Sequence, residues 1–355
     1  MKHRTRRLLA YAMFFTGVMS TTSFAQTDVH ILDVDQGLSV LIESQGHYML
    51  YDGGDSNKSS YVVSYLKQEE VPSLDYIVAS HYDSDHLNGV VGALNVFPVL
   101  NVWGPDYTTE TKVFQSFQSA VSEKGLAVVH PAVGNEYKLG DATIQILAPL
   151  SDNYSDVNNY SIAMRIQDGD TSFLITGDAE AESEKEIIAS KLTLDSDVYI
   201  MGHHGSGTST SWDLLQAVTP EYAVLSCGAG NSYGHPHIES MEKLDAMDIH
   251  LFRTDKQGNI VASTDGKNIT WSSNPCDDYT PGNEDDHSAQ PQKQTTPSAS
   301  SSQTASSSVY WTPKGKSYHN RQNCSTLKRS KTILSGSLND ALSAGKLDPC
   351  DICVK

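Results

Sequence analysis

Short apolar runs bounded by Gly, Asp or Asn recur between Val29 and Trp271, at residues 29–33, 39–43, 48–51, 75–79, 143–147, 161–166, 172–176, 197–201 and 222–226. Their brevity and their wealth of Val, Ile, Leu and Tyr predict β-strands. Between them, helical spacing of apolar positions predicts helices over 58–68, 87–94, 111–123, 180–190 and 238–247. Consecutive hairpins with interspersed helices predict an α/β sandwich.

The pattern fails at both ends of the chain. Residues 1–25 begin Met-Lys-His-Arg-Thr-Arg-Arg, continue with the apolar stretch Leu8 to Met19 and end Ser23-Phe24-Ala25. That is the order of a secretory signal peptide. Ser20, Thr21 and Thr22 interrupt the apolar run short of the roughly 18–20 residues a membrane anchor needs. Export to the medium or a periplasm is expected, with no membrane span in the mature protein. Residues 274–308 turn to Pro, Ser, Thr and Gln, cannot bury a core and are expected to form a flexible linker. A small module, 309–355, follows, so the main domain is expected over 26–273.

The chain has 355 residues and five cysteines, enough for a sizeable core and too few sulfurs for a disulfide scaffold. Its net charge of -18 is unevenly spread. Residues 26–275 carry 12 Lys and Arg against 35 Asp and Glu, whereas residues 309–355 carry 8 against 3. An acidic main domain repels polyanions. Nucleic-acid chemistry on it would need positive charge from bound metals or from the basic tail.

Four imidazole and carboxylate groups fall within six residues at His81-Tyr82-Asp83-Ser84-Asp85-His86, directly after an apolar strand. Surface runs rarely alternate two His with two Asp in this way, and such a loop can encircle a divalent metal. Two later strands end in matching chemistry, one at Gly177-Asp178 and one at His203-His204-Gly205-Ser206. Asp178 alone would read as well as a helix N-cap; beside the histidine cluster, the ligand reading prevails. Gly234-His235-Pro236 places a further imidazole in a turn after the strand 222–226. As a hypothesis His235 protonates a leaving oxygen or holds a phosphate, the rival being a surface-loop histidine.

The order of these motifs resembles the metallo-β-lactamase superfamily over roughly residues 28–273, with His81-x-Asp83-x-Asp85-His86 in place of His-x-His-x-Asp-His. More narrowly it resembles the extracellular hydrolase domain of the ComEC DNA-uptake proteins, through Leu32-Asp33-Val34-Asp35-Gln36-Gly37, Tyr51-Asp52-Gly53-Gly54, Asn158-Asn159-Tyr160-Ser161, Ile175-Thr176-Gly177-Asp178 and Asn231-Ser-Tyr-Gly-His235-Pro236. The resemblance implies an αββα sandwich with a binuclear site for two divalent ions, Zn²⁺ or Mn²⁺, that make hydroxide available near neutral pH. It implies His81 and Asp83 on one ion, Asp85 and His86 on the second, Asp178 between them, and one of His203 and His204 completing the second site, His203 slightly preferred. Asp85 would serve the chemistry with His235. Asp33, Asp52, Asn159, Ser161 and Ser206 would support the ligands or the substrate. Asp35 and Leu38 depart from the family's glycine and acidic residue, and no histidine stands in its third motif, where Asn158, Asn159 and Ser161 lie instead.

In the C-terminal module His319, Cys324, Cys350 and Cys353 match the donor count of a structural Zn²⁺ site, with a disulfide as the rival for an exported chain. Its positive charge with Tyr310, Trp311 and Tyr318 would suit DNA, and cell-wall polyanions would suit the same charge. The expected function is an exported binuclear metallohydrolase, most readily a phosphodiesterase or nuclease acting on extracellular DNA. A lactonase or β-lactamase type of hydrolase and a non-catalytic DNA- or cell-wall-binding protein are the alternatives.

Overall fold

Along residues 27–51, Val29, Ile31, Val40, Ile42, Met49 and Tyr51 alternate with Leu41 and Leu50, and all are fully buried. Period two puts these sets on opposite faces of a sheet, so the sheet must be covered on both sides. A computed structural model shows how. It describes residues 26–282 and, of the C-terminal segment, 309–312, 316–319, 327, 333–336, 341, 346 and 348–349. The expected signal peptide, residues 283–308 of the expected linker, and Cys324, Cys350 and Cys353 lie outside the described residues. The chain divides into two units, Met1–Gln290 and Pro291–Lys355.

In the first unit the strands are β1 (Thr27–Ile31), β2 (Val40–Ser44), β3 (His47–Tyr51), β4 (Leu74–Val78), β5 (Val99–Trp103), β6 (Val128–Val129), β7 (Glu136–Leu139), β8 (Ala142–Ile146), β9 (Met164–Asp168), β10 (Thr171–Ile175), β11 (Val198–Ile200), β12 (Tyr222–Leu225), β13 (His250–Arg253), β14 (Ile260–Thr264) and β15 (Ile269–Trp271). They form two sheets, in the orders β15-β14-β1-β2-β3-β4-β5-β6 and β13-β12-β11-β10-β9-β8-β7. The helices are α1 (Ser59–Gln68), α2 (Ser84–Val96), α3 (Lys112–Glu123), α4 (Ala181–Ala189), α5 (Trp212–Val218) and α6 (Ile238–Ala246).

Three apolar layers hold this arrangement. Val29, Val40, Met49 and Val78 of the first sheet meet Ile144, Met164, Phe173, Ile200 and Val224 of the second in the central core. Leu41, Leu50 and Ile77 pack outward on Val62 and Leu66 of α1, Leu87 and Val90 of α2 and Phe117 of α3. Leu174, Tyr199 and Leu225 pack on Ile187 of α4, Leu214 of α5 and Met241 and Leu244 of α6. The result is the expected αββα sandwich.

Both sheets change from antiparallel to parallel pairing part-way across. Strands β1, β2 and β3 pair antiparallel, while β3, β4 and β5 run parallel. Likewise β9 and β10 are antiparallel, and β10 to β13 are parallel. In open parallel sheets the carboxyl ends of the strands gather loops suited to ligands. Here β3, β4, β10, β11 and β12 deliver Asp52, His81, Asp178, His203 and Ser226 to one edge of the sandwich.

The elements β5, β6, β7, β13, β14, β15 and α5 were not expected. Residues 161–163, expected to open a strand, precede β9 instead: Ile162 N–H donates to the Ser80 carbonyl, 3.0 Å away, and Ser161 Oγ accepts from Asp178 N–H at 3.0 Å. In the second unit, strands β16 (Val309–Trp311), β17 (Ser317–His319), β18 (Leu334–Gly336) and β19 (Asp348–Pro349) form a sheet in the order β18-β16-β17-β19. No helix among the described residues is long and apolar enough to cross a membrane.

Candidate metal centre

Asp52 leaves β3 with a left-handed backbone (φ 58°) and a completely buried carboxylate. Its oxygens accept from Ser80 N–H at 2.7 Å, from Ser80 Oγ–H at 2.7 Å and from His86 Nδ1 at 2.8 Å. Burial pushes the Asp52 pKa up, against the pull of His86 and Ser80. With Nδ1–H committed to Asp52, the free tautomer of His86 presents a bare Nε2 to the interior of the edge. Asp83 begins α2 in extended conformation, and its side chain makes no capping bond. It is therefore free to face His81, whose Nε2 lies 3.9 Å from Asp83 Oδ2.

Two glycines let the loops close on each other. At Gly37 (φ 133°) a Cβ would stand 2.3 Å from the Asp85 carbonyl oxygen. At Gly177 (φ 55°) it would meet Ser80 Cβ and Tyr51 Oη, both at 2.9 Å. The second contact carries Asp178 into the centre: its Oδ2 lies 3.2 Å from His86 Nε2, 3.3 Å from His204 Nε2 and 3.8 Å from His203 Nε2. His86 Nε2 and His204 Nε2 are 3.2 Å apart, and Asp85 Oδ2 is 3.5 Å from His204 Nε2.

His203 and His204 are both left-handed (φ 48° and 53°), which turns consecutive side chains to different places. His204 Nδ1 donates to the Ser226 carbonyl at 3.1 Å and is buried, leaving Nε2 to the cluster. His203 Nδ1 instead meets Thr208 Oγ1 at 3.2 Å and Glu180 at 3.4 Å. Of the two, His204 thus turns its Nε2 into the cluster, whereas His203, slightly preferred from the sequence, lies at its margin.

Without metal, protons hold the cluster together. Burial opposes charge on His204, but Asp178 and Asp85 outweigh it and hold the pKa up at about 9. His86 is likewise held well above its usual value, against burial, by Asp178, Asp52 and Asp85. Asp178 and Asp85 are in turn held down by these histidines despite burial. Burial and His86 push His81 down to about 3. Its Nε2, and Oδ1 of Asp178, are buried with no hydrogen-bond partner. Donor atoms of His81, His86 and Asp178 lie within 4.8 Å of one another, as do those of Asp85, His86 and His204. Two unpartnered donors among converging imidazoles and carboxylates fit divalent cations.

His235 is buried beside this cluster, its ring centroid 5.6 Å from His203 and 6.2 Å from His204. Gln36 Nε2–H donates to its Nδ1 at 3.1 Å, so the ring proton resides on Nε2. Burial and the neighbouring histidines push its pKa down to about 3. Ser161 lies 3.5 Å from His81 Nδ1. Three expected supports stand elsewhere. Asp33 accepts from Asp35 N–H at 3.2 Å within its own turn. Asn159 Oδ1 accepts from Glu180 N–H and Ser183 N–H, at 3.0 and 3.2 Å, and so caps α4. Ser206 Oγ bonds Thr208 Oγ1 at 3.0 Å. Gln36 was read only as part of a motif; nothing local marks its contact with a residue 199 positions away. In the C-terminal unit His319 is buried on β17, and its three expected cysteine partners fall outside the described residues.

The sequence matches the metallo-beta-lactamase superfamily over residues 32–229, more than half of the chain and all of the loops from Asp52 to His204. The chain belongs to that superfamily. As such it has the fold of a metal-dependent hydrolase. Its relatives include ComE operon protein 3 of Bacillus subtilis, 26% identical over 72% of this chain and 36% of that protein. Competence protein ComA of Neisseria gonorrhoeae is 31% identical over 65% of this chain and 31% of its own length. Recombination protein 2 of Haemophilus influenzae is 33% identical over 65% of this chain and 28% of its own. The narrower likeness to competence proteins read from the motifs agrees with these relatives. The chain spans about a third of the length of each.

Proposed function

We propose that this metallo-beta-lactamase-fold protein is an exported, binuclear metal-dependent phosphodiesterase that cleaves extracellular DNA. The observation that carries the hydrolytic part is the convergence of His86 and His204 on Asp178, with Asp85 beside His204 and with His81 Nε2 and Asp178 Oδ1 buried and unpartnered. The DNA substrate is supported by the competence relatives, and export by the pattern of residues 1–25.

In this reading His81 and Asp83 would hold one ion and Asp85, His86 and His204 the other, with Asp178 available to both. When bound, the ions polarise phosphate oxygens and make hydroxide available near neutral pH. Asp52 fixes the His86 tautomer, and the Ser226 carbonyl fixes that of His204. Asp85, partly exposed and held ionised by His86 and His204, would keep a carboxylate oxygen free to accept a hydrogen bond from water. His235 stays neutral at physiological pH. Of its two expected roles, holding a phosphate oxygen through Nε2–H therefore suits it better than protonating the leaving oxygen. The basic segment 309–355 adds affinity for the same polyanion, with a structural Zn²⁺ held by His319, Cys324, Cys350 and Cys353.

The test uses protein from Gln26 onward with end- and internally labelled DNA in Mn²⁺, Mg²⁺, Zn²⁺ or EDTA, beside Asp85→Ala. Cleavage confined to wild type with metal is expected. No cleavage in any metal, together with nitrocefin or lactone turnover, would overturn the phosphodiesterase reading in favour of a small-molecule hydrolase.

A further inference from the structure

Tyr233 is 62% exposed, the largest exposure among the large apolar side chains of the structure's described residues, yet it stands beside the candidate metal centre rather than on a remote surface. Its ring stacks on His235, with centroids 5.6 Å apart and an interplanar angle of 23°. His235 in turn lies 6.2 Å from His204. The turn that presents it is tightly built. Asn231 Oδ1 accepts from Tyr233 N–H and His235 N–H, at 3.1 and 3.0 Å, and the Tyr233 carbonyl faces His237 Nε2 at 3.1 Å. Two of these bonds use the Tyr233 backbone and none uses its side chain. Apart from its stacking on His235, the ring is exposed.

The other end of the row of imidazoles is aromatic as well. Tyr107 Oη accepts from Tyr82 N–H at 2.8 Å, next to His81 and Asp83, and its ring lies 4.9 Å from that of Tyr160. Positive charge, by contrast, is scarce. Lys58, near the Gln36 turn, is already paired with Asp35 at 3.0 Å. A polyanion held here gains little from basic side chains, so its bases must supply what its phosphates do not.

We infer that Tyr233 is the stacking platform for the nucleobase adjoining the phosphate under attack, and that the substrate is therefore single-stranded DNA. This rests on the phosphodiesterase reading. A base can lie on an aromatic face only when it is free of its partner strand, and such stacking is tolerant of sequence. The two ring-to-ring steps, 6.2 Å from His204 to His235 and 5.6 Å from His235 to Tyr233, place the platform beside the cluster.

The test compares cleavage of a labelled single-stranded oligonucleotide, its duplex, and the same strand with abasic sites around the labelled linkage. Mn²⁺ is present throughout, and the proteins are the chain from Gln26 onward, Tyr233→Ala and Tyr233→Phe. Wild type is expected to prefer the base-bearing single strand to both others. Tyr233→Ala is expected to raise KM on that strand about tenfold, within the range of base–aromatic stacking, with kcat nearly kept. It should leave the abasic strand unaffected, and Tyr233→Phe should behave as wild type. An equal loss on base-bearing and abasic strands, or no loss on either, would overturn the stacking role while the nuclease reading stood. Absence of wild-type cleavage of every DNA would remove the nuclease reading and this inference with it.

Discussion

Asp52→Asn separates the support of the cluster from the cluster itself. Asn keeps the volume and tolerates the left-handed backbone at φ 58°. The carboxylate accepts three bonds, two from Ser80 and one from His86 Nδ1. An amide has one oxygen. If that oxygen keeps Ser80, the amide N–H₂ faces His86 Nδ1, and two donors cannot share one contact. His86 must then carry its proton on Nε2, the atom 3.2 Å from both Asp178 Oδ2 and His204 Nε2. A protonated nitrogen cannot bind metal. Loss of such an orienting partner lowers metal affinity by about 10- to 100-fold, or about 1.4–2.7 kcal/mol. At saturating metal the stabilisation conferred by the ion falls by a similar amount. Calorimetric titration of Mn²⁺ or Zn²⁺ into metal-stripped protein measures the first quantity, and urea midpoints with and without metal measure the second. A variant that is less stable without metal, yet binds both ions with the wild-type Kd, would refute the tautomer argument and leave Asp52 a structural residue only.

His204→Ala is expected to lose one equivalent of metal and at least about 100-fold in turnover, while His203→Ala keeps both equivalents; metal content after desalting decides, and the reverse result would restore His203 as the ligand. In EDTA, stability is expected to be greatest near neutrality. On the acid side His81 and His235, held down at about 3, take up protons only when unfolded, so stability falls as pH drops below their unfolded value near 6.5. Asp178 and Asp85, held low, add to that loss, and Asp52 and Asp83, pushed up by burial, offset part of it. On the alkaline side His204, held up at about 9, contributes stability that is full below about 6.5 and lost as pH rises through 9. Urea midpoints across pH 4–10, about the range needed to span both arms, would count against the proton-held cluster if they rose steadily to pH 9. Asn159→Ala removes the acceptor for two N–H groups of α4 and is expected to lower stability by about 1 kcal/mol, or a Tm shift of about 2–4 °C, with metal content kept.

The convergence of the candidate donors was legible because four of them fall within six consecutive residues, and because strand ends aim side chains in a known direction. The choice between His203 and His204 was not, since two adjacent histidines are equivalent in sequence and only the left-handed turn at both decides which points inward. Asn159 is ambiguous for a related reason: its amide serves residues 21 and 24 positions away, and an Asn beside a motif looks the same whether it faces a metal or a helix end. Among the strands, β13 was hidden by Arg253, which reads as surface yet is buried and held by Asp255 and by the carbonyls of Asp278 and Thr280. At β5, Asn101 interrupts the apolar run and Leu100 beside it is exposed. Conversely Ser161-Ile162-Ala163 has strand composition, but Ile162 N–H goes to Ser80 and Ser161 Oγ to Asp178, and only the Ala163 carbonyl, accepting from Leu147 N–H at 2.8 Å, meets the end of β8.

Charge ties these observations together. Residues 26–275 hold 35 acidic side chains against 12 basic ones, and Asp52, Asp83, Asp85 and Asp178 concentrate four of them at one edge. Stripped of cations, that edge repels a phosphodiester, and the raised pKa values of His86 and His204 show the carboxylates already drawing protons in to relieve themselves. Cations in place of those protons would change the sign of the local field. The same ions proposed to activate water would thus also admit the substrate, so metal removal should act on binding before chemistry. Since the attraction would reside in two fixed ions and an aromatic face rather than in a basic groove, few counterions would be released on binding to the main domain. Any steep salt dependence of the whole chain would then belong to the basic segment 309–355, where 8 Lys and Arg face 3 acidic residues.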